Sequence, residues 1–169
     1  DAIRAQLPID AVLDLAARSD VSGIRPADEA TTNRSTGDAT TSSVGAGASE
    51  ADVTHAATTA RTSYGVDGTG VKVCVLSDGV NTLASRQASG DLPAVDVLSG
   101  QAGSGDEGTA MLELIHDIAP GATLGFATAF TSQASFAQNI VNLQASGCEI
   151  IVDDVTYFAE TTFQDANVA

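Results

Sequence analysis

The chain has 169 residues, 43% hydrophobic but only 4% aromatic, so a packed core is feasible and must be built from Ala, Val, Leu and Ile. A formal net charge of −15, with seven scattered Lys and Arg, excludes nucleic-acid and anionic-membrane partners, which demand clustered positive charge. Such acidity fits a protein kept dispersed by like-charge repulsion, as in secreted proteins or those working in acid or salt.

In chain order, Leu7, Ile9, Val12, Leu13, Leu15 and Ala16 recur at helical spacing after Pro8, with Asp10 at the helix start. Val21 and Ile24 then predict a short strand ending at Pro26. One helix and one strand bury too little surface to stand alone, so residues 1–27 read as a small unit that packs on the remainder. Residues 28–62 read as a flexible linker. The run 40–49, built from Thr, Ser, Val, Gly and Ala, has too little apolar mass to repay ordering and is a natural site for nicking. Within its end, Val53, Ala56, Ala57 and Ala60 predict a short helix over 51–63.

Residues 63–169 alternate strand and helix signals. Strands are predicted at 71–77, 95–98, 123–127 and 148–152, and helices at 82–89, 108–118 and 133–145, with another beginning at Phe163. The helix over 108–118 turns Met111, Leu112, Leu114, Ile115 and Ile118 inward and stops at Pro120-Gly121. This alternation predicts an α/β fold with a doubly wound parallel sheet, of which only the amino-terminal part is present. Cys74 and Cys148 fall at predicted buried strands. Free thiols acting as small hydrophobes are favoured there over a disulfide. No apolar run approaches the 18 or so residues of a membrane span, and no signal peptide opens the chain.

Chemistry is expected beyond the carboxyl ends of the strands. Asp78 closes the first of them, and Glu107 opens the helix after the glycine-rich turn 100–105. Two carboxyl groups in contact share a proton and make an acid-competent general base. The plain alternatives are a turn or helix-capping aspartate for Asp78, and a first-turn acid favouring the helix dipole for Glu107. Asp153 and Asp154 end the last strand, with Thr156 beyond. They are substrate-binding candidates, and since adjacent acids alternate faces at most one points into the cleft, where it could bind a basic or polar substrate group or join Asp78 and Glu107; their plain alternative is strand-end solvation. Adjacent acids without further oxygen ligands are weak grounds for calcium, so no cofactor is expected. His116 reads as structural, and His55 has no partner by pattern. The glycines 65–70 precede their strand, which argues against a dinucleotide site.

The segment 71–79 resembles the first catalytic block of the subtilases, in which an aspartate, a small residue and glycine close the first strand. Glu107-Gly108-Thr109-Ala110-Met111 through Ala119-Pro120-Gly121-Ala122 resembles their second block, where histidine-glycine-threonine opens a helix ending in an alanine-proline-glycine turn. Tyr64-Gly65 and the 68–70 turn look like the opening of a subtilase domain, and residues 7–26 like the last part of a propeptide. The likeness covers about residues 60–160 in the right order. It implies a subtilisin-like fold and a secreted serine peptidase zymogen. Its partners would be a protein or peptide substrate and the missing carboxyl-terminal half of its catalytic domain. Glu107 stands where subtilases carry histidine. A glutamate base is the habit of the related sedolisins, which place an aspartate four residues later, where this chain has Met111. The resemblance thus implies Glu107 as general base, oriented by Asp78. The family's serine lies in a glycine-threonine-serine block that does not occur before Ala169. The alternative is a subtilase-scaffold binding or structural domain without catalysis.

Overall fold

The structure is a computed structural model and describes residues 3–32 and 49–158. A single 3-10 turn at Ile9–Ala11 runs into α1 (Val12–Ala16), a shorter helix than the apolar spacing predicts. Ile9 and Leu13 stay 88% and 80% exposed, so among the described residues this helix meets no surface on which to bury that face and nothing to lengthen it. The strand expected at Val21 and Ile24 does not form. The segment pairs instead through β1 (Thr31–Thr32), because a strand needs an open edge and that is where this chain meets one.

The expected linker is structured at both ends, and its centre, 33–48, lies outside the described residues. After it come α2 (Glu50–Thr54) and α3 (Ala57–Tyr64), one expected helix broken in two at Ala56, whose φ is 54°. Polar contacts dock the pair onto a later helix. Arg61 donates to the carbonyls of Asp117 and Ile118 (3.1 and 2.8 Å), the Ser49 amide donates to Asp117 (2.6 Å), and Arg61 pairs with the buried Asp52 (2.6 Å). Those carbonyls close that later helix, and a cation there satisfies acceptors the helix leaves unpaired.

The α/β unit runs β2 (Lys72–Ser77), α4 (Leu83–Ser89), β3 (Val95–Val97), α5 (Glu107–Ile118), β4 (Thr123–Thr128), α6 (Gln133–Ala145), β5 (Ile150–Asp153) and β6 (Val155–Thr156). Its sheet is parallel throughout, in the order β3-β4-β2-β5, and β6 pairs antiparallel with β1. The helix expected from Phe163 lies outside the described residues.

Strand alternation divides the core in two. Val73, Val75, Leu124 and Phe126 pack with Leu112 of α5 on one face, where Met111 and Ile115 also lie. Cys74, Leu76 and Ala127 pack with Phe136 and Leu143 of α6 on the other. Steps β3 to β4 and β4 to β5 cross the sheet in the same direction on opposite faces, so their crossovers have opposite hands. The β2 to β3 step runs the other way and packs Leu83 and Leu92 on the α5 face, which gives it the hand of the α6 crossover. The α5 crossover therefore has the hand opposite to that of the other two.

Cys74 and Cys148 are joined in a disulfide, not free as expected. The reason is spatial: Cys74 lies on the α6 face of β2, and the turn after α6 returns Cys148 to that face beside it, Cα to Cα 5.9 Å. The bridge spans a sequence separation of 74, for which loop-closure entropy gives a stabilisation of about 4 kcal/mol. No helix among the described residues is long and apolar enough to cross a membrane.

Candidate functional site

The carboxyl ends of β2, β4 and β5 meet at one rim. Register aligns Ser77 with Thr128 and Leu76 with Asp153, so Asp154 follows in line with Ser77. Because side chains alternate, Ser77 and Asp154 share the α5 face, whereas Asp153 falls on the other side.

Asp78, 7% exposed, reaches the first turn of α5. Its Oδ1 accepts from the amides of Gly79 (2.5 Å), Glu107 (3.0 Å) and Gly108 (3.3 Å). The first amides of a helix have no partner of their own and carry the positive end of its dipole, so a buried carboxylate is well matched to them. Asp78 and Glu107 therefore do come together, but by carboxylate to main-chain amide. The bond expected between their carboxyl groups is not among those formed; the contacts of Asp78 with this turn are the three amides on its Oδ1.

The approach depends on glycine. A Cβ on Gly105, where φ is 127°, would lie 1.9 Å from Asp78 Oδ2, and one on Gly108 would lie 2.4 Å from the Phe126 ring. Around them, Thr128 Oγ1 donates to the Asp78 carbonyl (2.9 Å) and the Ser104 amide donates to it as well (3.0 Å). Asp106 precedes α5 but turns away to accept from Thr82 N and Oγ1 (2.7 and 2.8 Å). Asn139 of α6, 2% exposed, donates to the Thr128 carbonyl (2.8 Å) and to Gln101 (2.7 Å), fixing the same rim from behind.

Glu107 meets Asp154. The Asp154 carboxyl is pushed up to about 6, first by burial and then by the neighbouring Glu107 carboxyl, while the Ser77 hydroxyl opposes the rise. Glu107 Oε2, Asp154 Oδ1 and Ser77 Oγ are all buried without a regular hydrogen bond. The Ser77 hydroxyl is thus near enough to Asp154 to act on its charge without the geometry of a full bond.

Of the five residues singled out from sequence, three converge: Asp78, Glu107 and Asp154. Asp154 turns inward to Glu107. Asp153 is exposed, and its Oδ1 accepts from the Val155 amide (3.2 Å). Thr156 is exposed and paired with Thr31, whose hydroxyl donates to the Thr156 carbonyl (3.2 Å). Next to it, Tyr157 is buried and anchors the corner by donating to the Ala129 carbonyl (2.6 Å). Burial pushes its hydroxyl up to about 12. Sequence reasoning set Ser77 aside as a nucleophile without giving it another role, and passed over Thr128 and Asp106. The signal for Ser77 was its place as last residue of a buried strand; Thr128 and Asp106 carry none without the register. His116 is half-buried on α5 and His55 is exposed near α3.

The amino-terminal segment crosses this rim. Arg4 donates to the Thr131 carbonyl (2.9 Å) and Arg25 to Gln133 (2.7 Å), both just beyond β4, and β1 then lies along β6.

No protein-family model matches the chain, and neither does any curated protein or solved structure. What fold and site define is an α/β protein with a four-stranded parallel sheet, flanked by helices, and an acidic rim at its carboxyl end.

Proposed function

We propose that this chain is the amino-terminal part of a secreted, subtilisin-like serine endopeptidase. Its Glu107 is the general base, and the nucleophilic serine is supplied by sequence beyond Ala169. The carrying observation is the meeting of the half-buried Glu107 and Asp154 at the carboxyl rim, one oxygen of each closed to water, on a helix whose start is held by Asp78. In the reaction, Glu107 takes the proton of the serine hydroxyl as its oxygen bonds to the peptide carbonyl carbon. The same proton passes to the leaving amine nitrogen as the C–N bond breaks, and water then hydrolyses the acyl-enzyme by the reverse relay. Asp78 orients Glu107 through its main chain, not through its carboxyl. Ser77 is not the nucleophile, because it is fully buried.

The β1–β6 ladder supports a zymogen. An extended segment lying antiparallel on a strand edge is how a peptide substrate docks by strand addition. Residues up to Thr32 then act as the propeptide, blocking the edge beside Asp153 and Thr156 until cleaved. The disulfide is compatible with secretion, since such bonds persist in oxidising compartments.

The second reading, a subtilase scaffold without catalysis, is favoured by one observation: the serine beside Glu107 and Asp154 among the described residues is the inaccessible Ser77. A serine-directed covalent probe on the full-length protein separates the two. Labelling and an activity optimum in mild acid are expected of the peptidase, with Glu107→Gln lowering kcat/KM by roughly 10²–10⁴-fold. No labelled serine, or an ordinary alkaline optimum, would sink it.

A further inference from the structure

Asp154 plays no part in the proton relay above, although it is the acid that Glu107 faces. Ionised carboxylates are acceptors only, so two of them meeting out of water leave oxygens that nothing can satisfy. That is the state of Glu107 Oε2 and Asp154 Oδ1. Ser77 Oγ, on a residue with no exposed surface, is the third unpartnered atom at this point and offers a single hydroxyl proton. No cation relieves the charge, for none of the ion pairs among the described residues involves Asp78, Glu107 or Asp154. Asp78, the other acid present from the end of β2, is engaged with three amides, and Asp153 faces solvent.

We infer that Glu107 and Asp154 share one proton, and that Asp154 is a positioning residue that holds the Glu107 carboxyl at the rim of the sheet. One proton turns a facing pair of acceptors into a donor and an acceptor and leaves one negative charge where there would be two. The proton is taken from water on acidification and returns to water as pH rises, and no other bond changes. The upward displacement of Asp154 to about 6 agrees with this arrangement. Its sign fixes a second consequence. A carboxyl held above its ordinary 3.8 favours the folded state fully below that value, and this contribution is lost as pH rises through about 6. The effect of the pair on catalysis rests on the peptidase reading, but the pair itself does not.

The test is a titration of the full chain followed by difference infrared spectroscopy of protonated carboxyl groups. The wild type should keep a protonated carboxyl at about pH 5, lost with a midpoint near 6; Asp154→Asn should abolish that signal, and Glu107→Gln should lower its midpoint. Persistence of the signal in Asp154→Asn, or an unmoved midpoint in Glu107→Gln, overturns the proposal. So does a wild-type chain in which no carboxyl titrates above about pH 5, a result that stands even if the variants fail to fold. Titration as expected, with no serine labelled by the covalent probe, leaves the pair in place and removes the peptidase.

Discussion

Helices α5 and α6 begin in opposite ways, although both follow a strand or its loop and both bury an apolar face on the same sheet. α6 caps itself: Ser132 is extended, with φ −177°, and its Oγ accepts from the Ser135 amide (3.0 Å). α5 does not. Asp106 in the same position sends its carboxylate to Thr82, and the amides of Glu107 and Gly108 are taken by Asp78, from a strand some thirty residues earlier. A locally capped helix is built for stability alone. One whose cap comes from a distant buried carboxylate is fixed in three dimensions relative to that strand, which is what a side chain at its first position, Glu107, requires.

The contrast can be broken in three places. Asp78→Ala should have the largest effect. It strips three amides of their acceptor in a site closed to water, for a loss of roughly 3 kcal/mol, read as a lower denaturant midpoint with an unchanged slope. Gly105→Ala should follow at about 2 kcal/mol, because its Cβ would meet Asp78 Oδ2 and its φ of 127° disfavours any side chain. Ser132→Ala should cost least, about 1 kcal/mol, the usual worth of a cap exchanged for alanine. Equal losses at Asp78 and Ser132 would mean that the two helix starts do not differ in the way described. The comparison sharpens if Asp78→Ala also removes the carboxyl signal shared by Glu107 and Asp154, while Ser132→Ala leaves it intact.

Much of the α/β unit could be read from periodicity. The strand over 71–77 and the helix over 108–118 appear within a residue of expectation, and α6 at its expected limits, since β-branched runs and amphipathic spacing are local properties. The amino-terminal segment was legible only in part. Its apolar residues suggested a helix and a strand, but among the described residues Ile9 and Leu13 find nothing to cover them, and the paired residues are Thr31 and Thr32. At the site, sequence brought Asp78 and Glu107 to one rim because both follow strands that end there. It assigned their contact to the wrong atoms, since amide orientation at a helix start is not written in residue order.

The residues alone determined that this chain builds a parallel α/β sheet with acids at its carboxyl edge, because alternating strand and helix periods leave few other ways to bury their apolar faces. Three matters were decided only by the folded chain: that Cys74 reaches Cys148, that Asp78 serves amides, and that Asp154 faces Glu107. Each joins residues 30 to 74 positions apart or nearly so, and which of them meet depends on strand register and crossover hand. Local sequence encodes neither, since both follow from how the separate elements pack.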